Sequence, residues 1–363
     1  MDSFRLSSYA KILACPACRG ELGLEGADVQ CLSCQAVFRV DSGIPLLLAT
    51  GEGHARQVTQ VVKAFYEENP FPNYDDFDSK QSLIEKARRG VFARLLDEQI
   101  PPGARVLEVG CGTGQLTNFL GIHWNRQVFG SDMCLNSLRL ATAFRDKSGI
   151  RNAEFVQMNL FKPAFRDGIF DLVISNGVLH HTSDPVGGFL SISRLVKSGG
   201  SIIIGLYNRI GRLFTDLRRL LFRLSGNRLR MLDAHMRNRN YNEARKRAWF
   251  MDQYKHPQES KHSYDEVIGW FESNGFEFLS SIPKIDSSPF SEREKLFEPH
   301  DKGTKMTRLA AQLEMLLTGG KDGALFIMIG RKVKQDAVLP LPAQSARGTQ
   351  AGAAPGTYQT GTH

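Results

Sequence analysis

Four cysteines carry the clearest chemistry in the chain. Cys15-Pro-Ala-Cys18 and Cys31-Leu-Ser-Cys34 are two CxxC pairs separated by twelve residues. Two tight turns at this spacing present four thiolates as a tetrahedron, the geometry that Zn²⁺ takes from protein ligands. Four sulfurs leave no open position on the ion, so the metal they imply is structural. A second feature is a glycine-rich turn. Residues 104–120, ARVLEVGCGTGQLTNFL, run from an apolar strand through Gly110, Gly112 and Gly114 into an amphipathic helix. Glycines permit positive φ and let the backbone approach a ligand closely. A GxGxxG dinucleotide loop would need glycine at 115, where Gln115 stands. The acid before the turn, Glu108, suits a ligand with a cationic amino group better than a pyrophosphate. A third feature is the pair His180–His181, since imidazole titrates near neutral pH and suits proton transfer. Tyr207 and Asn208, at the end of a later apolar run, complete the candidates; Asn208 reads more simply as a helix N-cap.

The elements that must hold these groups follow in order. QVFGSD (127–132) reads as a strand ending at Asp132, eighteen residues after Gly114. A carboxylate there can accept both hydroxyls of a ribose. AEFVQMNL (153–160) is a third strand ending near Asn159, and FDLVISNGVLHH (170–181) a fourth with its loop. LVKSGGSIIIGLYN (195–208) is a glycine turn and a fifth strand. FEFLSS (276–281) and GALFIMIG (323–330) supply an antiparallel pair. A helix is expected at roughly 80–99, and another near Tyr264 with Ser263 as N-cap and Glu266 closing a capping box. Strands alternating with helices predict a parallel sheet covered on both faces, with ligand at the strands' carboxyl ends.

That succession resembles the class I S-adenosylmethionine (SAM) methyltransferases, densely over 104–208 and loosely over 263–333. The resemblance implies an α/β, Rossmann-like, seven-stranded and mostly parallel sheet with SAM as methyl donor. It places Glu108, Gly110, Cys111, Gly112, Gly114, Asp132, Met133, Asn159, Leu160 and Asn176 around the cofactor. The family often has an acid where Asn159 stands, although an amide can still bond an adenine edge. His180, His181 and Tyr207 fall beside the transferred methyl. Relatives also use one histidine of an L-x-H pattern to pack against SAM, so a proton-accepting and a positioning role both stand. Residues 11–49, ending in the strand GIPLLL, resemble the small zinc ribbon known as an activator subunit of eukaryotic tRNA and protein methyltransferases. The aromatic segment 62–77, with Phe65, Tyr66, Phe71, Tyr74 and Phe77, fits either a lid over SAM, as in relatives, or packing between ribbon and core.

The formal net charge is +8. Between 205 and 255, thirteen Lys and Arg stand against Asp216, Asp233, Glu243 and Asp252, so the rest of the chain carries −1. Within this arm Ile210, Leu213, Phe214, Leu217, Leu220, Leu221 and Leu224 share one helical face, with Arg212, Arg219 and Arg223 opposite. The plainest expectation packs the apolar face on the core and leaves the arginines in solvent. A lid, a phosphate-binding face and a membrane-surface helix are the alternatives. Farther on, His256 and His262 among acids can bind a metal or line the acceptor side.

A hydrophobic content of 42% suits a globular chain, and 363 residues suggest about two domains. No apolar run reaches a membrane span and the N-terminus lacks a signal-peptide core, so a soluble cytoplasmic protein is expected. The expected organisation is a zinc ribbon at 1–50, a linker with lid helices at 51–103, a methyltransferase domain at 104–334 with the basic insertion 208–262, and a disordered tail at 335–363. The expected function is methyl transfer from SAM to O, N or C of a small or medium organic acceptor. One alternative is RNA methylation through the basic arm and ribbon. It lacks an NPPY-like signature, since Ser175-Asn176-Gly177-Val178 stand there. Another is a non-catalytic SAM-binding adaptor.

Overall fold

The computed structural model describes residues 2–49, 53–68, 78–238, 242–318 and 323–334. The expected tail 335–363 lies outside them. In chain order the elements are α1 (Asp2–Tyr9), β1 (Leu22–Glu25), β2 (Asp28–Cys31), β3 (Val37–Phe38), β4 (Val40–Asp41), β5 (Ile44–Leu47), α2 (Gly53–Glu68), α3 (Lys80–Arg89) and α4 (Val91–Gln99). There follow β6 (Arg105–Val109), α5 (Gln115–Leu120), β7 (Gln127–Asp132), α6 (Leu135–Lys147), β8 (Ala153–Met158), β9 (Phe170–Asn176), α7 (Pro185–Ser193) and β10 (Val196–Tyr207). The remainder comprises α8 (Leu213–Leu224), α9 (Ala234–Arg237), α10 (Glu243–Lys255), α11 (Tyr264–Ser273), β11 (Phe276–Ile282), α12 (Lys305–Leu317) and β12 (Leu325–Lys332).

Near-continuous apolar runs such as Val106–Val109 and Ile202–Ile204 bury both faces of their strands, as a parallel sheet requires. The main sheet has the order β11-β12-β10-β9-β6-β7-β8-β5-β4. Its strands from β10 to β5 are parallel, and β12 runs antiparallel between β10 and β11. The chain steps outward from β6 through β7 to β8, then returns to place β9 and β10 on the other side. This reversal between β6 and β9 opens a crevice at the strands' carboxyl ends.

The sheet is α/β and Rossmann-like as expected, but it has nine strands rather than seven. The added strands come from the cysteine-bearing segment. Leu46 and Leu47 pair in parallel with Gln157 and Met158, covering the edge that β8 would otherwise expose. The Ala14 N–H donates to Ala164 O at 2.9 Å, and Tyr9 packs edge-on against Phe129. Leu13, Cys15 and Cys31 share one hydrophobic cluster with Phe129 and Phe165.

Two helices depart from expectation. The 80–99 helix is broken at Gly90, whose extended backbone (φ −85°, ψ 108°) ends α3 and starts α4. More consequentially, α8 is turned over. Leu213, Phe214, Leu217, Leu220 and Leu224 are 47–75% exposed, whereas Phe222 and Arg212 are buried. The reason is electrostatic: Glu259 lies beneath the helix and draws Arg212 and Arg219 inward. Asn208 caps the turn before α8, accepting from the Ile210 and Gly211 N–H groups at 3.0 and 2.8 Å. Ser263 and Glu266 form the expected capping box on α11.

Candidate active site

Strand β6 ends in the glycine turn. Gly110, Gly112 and Gly114 all have positive φ. Their necessity is steric as well: a Cβ on Gly110 would lie 2.4 Å from Val178 Cγ2, and one on Gly114 2.7 Å from Ala141 Cβ. The turn opens onto a cavity of about 410 Å³. It is lined by Glu108, Gly110, Cys111, Gly112, Asp132, Met133, Leu160 and Asn176. Asp132 Oδ2 accepts from the Gly112 N–H at 2.9 Å and Oδ1 from the Cys134 N–H at 2.8 Å, tying β7 to the turn. Glu108 accepts from the Thr117 hydroxyl, yet burial pushes its carboxyl up to about 7. Asn159 does not reach the cavity. Its Oδ1 accepts from the Phe161 N–H at 3.0 Å and its Nδ2 faces Ala49 O, while Met158 and Leu160 beside it line the cavity. Asn159 is spent on the turn that carries the chain away from β8.

Helices α2 and α10 and the end of β10 complete the wall. Tyr66 of α2, Tyr207 of β10, and Trp249, Asp252 and Gln253 of α10 line it with His181 and Thr182. Helix α2 is seated by Glu67, whose carboxylate accepts from the Leu135 and Asn136 N–H groups at the start of α6, an anion at a helix N-terminus. Its neighbour Tyr66 donates to Asp252 Oδ1 at 3.0 Å. Gln253 Nε2 donates to Asp252 Oδ2 at 2.9 Å and to the Tyr207 hydroxyl at 2.7 Å. Burial raises the Asp252 carboxyl above its ordinary value despite these donors. Of the aromatic lid segment, Tyr66 lines the cavity and Phe65 packs on His256, while Phe71, Tyr74 and Phe77 lie outside the described residues.

The two histidines part ways. His181 faces the cavity and its Nδ1 donates to Gln258 O at 2.8 Å, which leaves Nε2 with the lone pair. Burial lowers its pKa to about 4. His180 is fully buried against His181 and Tyr207, both ring nitrogens are without partners among the described residues, and it does not line the cavity. His256 stacks on His181 with ring centroids 3.6 Å apart, and its Nδ1 lies 2.6 Å from the same Gln258 carbonyl. His262 faces Ser260 and Glu266 instead.

Beneath the site, Arg212 lies on the Tyr207 ring with its guanidinium carbon 3.6 Å from the centroid. It grips Glu259 with two bonds of 3.0 and 2.8 Å and donates to Gln253 Oε1 at 2.8 Å. Burial alone would raise the Glu259 carboxyl, but Arg212 and Arg219 hold it down to about 2. Trp249 Nε1 and Asn176 Oδ1 are buried at the cavity wall without partners among the described residues. A bound molecule can satisfy both.

Sequence reasoning overlooked Trp249, Gln253 and the role of Asp252, which counted merely as one acid against the arm's basic charge. Their signal was present. Trp249, Asp252, Gln253 and His256 stand at i, i+3, i+4 and i+7, a polar stripe on one face of a helix.

In the N-terminal segment the four thiol sulfurs lie within 4.8 Å of one another. Cys15 and Cys34 sulfurs are 3.7 Å apart, and those of Cys18 and Cys31 3.5 Å. A tetrahedron with metal–sulfur bonds of about 2.3 Å has edges of about 3.8 Å, so the donor set fits.

Residues 107–204 match a protein family described as a methyltransferase domain. An uncharacterized Synechococcus protein is 28% identical over 61% of this chain and 60% of its own length. A ubiquinone biosynthesis O-methyltransferase of Xanthomonas axonopodis is 32% identical over 31% of this chain and 47% of its own. A phosphoethanolamine N-methyltransferase of Triticum aestivum is 31% identical over 32% of this chain and 23% of its own. The chain thus spans less than two thirds of each of these relatives. Sheet order, glycine turn and family match agree: residues 107–204 carry a methyltransferase domain of the class I, SAM-dependent type.

Proposed function

We propose that the protein transfers a methyl group from SAM to a small or medium organic acceptor held between the glycine turn and the basic arm. One observation carries this reading: a single cavity is lined by Gly110 and Asp132 and also by Asp252, Tyr66 and Tyr207. SAM, when bound, supplies a methyl on a cationic sulfur. Glu108 holds the amino end of such a ligand, Asp132 its ribose, and the Gly110–Gly114 turn lets backbone close on it. Methyl transfer to a hydroxyl or amine also releases a proton, and a positioned base is worth about 10²- to 10⁴-fold. Asp252 receives that proton. It is an anionic acceptor inside the cavity, and Tyr66 and Gln253 fix both its oxygens. His181 orients the acceptor through Nε2. Tyr207, its hydroxyl oxygen engaged by Gln253, keeps its proton and donates a hydrogen bond to the acceptor.

The small-acceptor reading is supported by the relatives named for a quinone-pathway O-methyl transfer and for phosphoethanolamine N-methylation. An RNA acceptor draws less support, because Arg212 and Arg219 of the arm are turned onto Glu259 rather than toward phosphate. The ribbon holds a structural Zn²⁺ on Cys15, Cys18, Cys31 and Cys34. The test is formation of S-adenosylhomocysteine from SAM against a panel of phenols, amines and acidic carbons, with Asp252→Asn alongside. Turnover that Asp252→Asn leaves unchanged removes the base, and turnover on no small acceptor but on RNA overturns the substrate class.

A further inference from the structure

We infer that the outer face of α8 is an interfacial helix that docks the protein on an anionic lipid surface. At 100° per residue, Leu213, Phe214, Leu217, Leu220 and Leu224 lie within one arc of about 120°. All five are exposed, Leu224 to 75%. The apolar surface continues past the helix end through Leu229, Met231 and Leu232, each 44–53% exposed. Soluble surfaces scatter single apolar residues, but a contiguous patch of this kind marks a partner.

The inner face shows that this orientation is imposed by the fold. Phe222 is buried against Phe250 and Tyr254, and Arg212 and Arg219 are pinned to Glu259. Rotating the helix to hide its leucines would strand two cations and bury Phe222 nowhere. The stripe therefore stays outward.

Its charge rim identifies the occupant. Arg223, Arg228, Arg230 and Arg237 are exposed, and among the described residues none of them forms an ion pair. An apolar stripe flanked by arginines matches the boundary between anionic headgroups and acyl chains: leucines enter the chains while guanidinium groups meet phosphate. A second copy would bring the same cationic rim against itself. Nucleic acid would meet the arginines but leave the apolar centre facing a phosphate backbone.

The placement also has a use. Arg212, immediately before α8, lies on the ring of Tyr207, a residue of the cavity wall, so the lipid-facing helix is joined to the site through this contact. An acceptor dissolved in the membrane would reach the cavity from the surface on which α8 lies.

Flotation of the full chain with phosphatidylcholine vesicles, with and without phosphatidylglycerol, tests this. The wild type is expected to float with the anionic vesicles and to release as salt is raised. Arg223→Gln with Arg228→Gln should weaken binding about thirtyfold, at ~1 kcal/mol for each charge. Leu217→Glu with Leu220→Glu should abolish it while SAM affinity, read by calorimetry, stays unchanged and reports an intact fold. Equal flotation of wild type and leucine variant overturns the inference, as does failure of the wild type to float. A wild-type dimer that the leucine variant converts to monomer, with vesicle binding unmoved, assigns the stripe to self-association instead.

Discussion

The Tyr66 hydroxyl donates to Asp252 Oδ1 at 3.0 Å, bridging α2 and α10 across 186 positions of sequence. This bond closes the cavity from two sides and sets the charge state of its carboxylate. Desolvation raises the Asp252 pKa, and the Tyr66 hydrogen bond opposes that rise. In Tyr66→Phe the carboxyl therefore holds its proton to higher pH. The acid limb of the kcat profile should move upward, while turnover on the alkaline plateau recovers. Asp252→Asn should lower kcat by about 10²- to 10⁴-fold at every pH. SAM affinity in both variants, measured by calorimetry, is expected to stay near wild type.

Glu108 gives a pH effect of opposite sign on folding and on binding. Burial pushes its carboxyl from 4.5 to about 7 in the folded chain, so the native state holds a proton that the unfolded chain releases. Stability without ligand is then fullest below about 4.5 and falls as pH rises toward 7. Affinity for a cationic ligand instead rises through pH 7, as the carboxylate forms. Glu108→Gln should flatten both slopes. Chemical denaturation and SAM titration across pH 5 to 8 read the two effects separately.

Asp132 is the partner expected for the ribose. Its replacement by alanine removes a charge-assisted acceptor, a contact worth ~1.5–3 kcal/mol. SAM affinity should fall tenfold or more. The same change frees the Gly112 N–H, so the glycine turn loosens, and exchange of that amide with solvent should quicken. Unchanged SAM affinity in Asp132→Ala would remove the ribose assignment.

Glu259 is a buried carboxylate shared by Arg212 and Arg219, and its removal leaves the buried Arg212 without a counterion. Glu259→Gln should cost about 3–5 kcal/mol in denaturant unfolding, and Arg212→Leu less, because Arg219 remains. Glu259 is held down to about 2, so the pair's contribution is present above its ordinary value of 4.5 and is lost as pH falls toward 2. Glu259→Gln should therefore also lose the acid-unfolding transition in that range, and Arg212→Leu should weaken it.

Removing the ribbon's metal should weaken the whole chain. Cys18→Ser, or a strong chelator, is expected to release one zinc per chain by elemental analysis. Since Leu13, Cys15 and Cys31 belong to the same cluster as Phe129 and Phe165, the thermal transition of the complete protein should shift down. A ribbon that melted alone would leave that transition in place.

Much of this architecture is legible in the amino-acid order. The glycine turn, Asp132 and the strand succession are local patterns, each dictated by backbone geometry or by burial on both faces of a strand. The capping box at Ser263 is legible for the same reason. What escaped reading depends on partners distant in sequence. Nothing near Leu213–Leu224 announces that Glu259 will capture Arg212 and turn the helix over. Asp252 reads as surface charge until Tyr66 arrives from another helix. Asn159 occupies the expected position, yet the turn to Phe161 claims its side chain, and no periodicity records that competition.

The pairing of β5 with β8 carries a consequence for the order of events during synthesis. Residues 44–47 leave the ribosome about a hundred residues before Gln157 and Met158, and at about 5–20 residues per second the wait lasts several seconds. Through that interval β5 has β4 on one side, and its other edge stays open. The cysteine cluster is complete by Cys34, so this small unit can set its own shape on the nascent chain and then serve as the template against which the last of the β6–β8 strands docks.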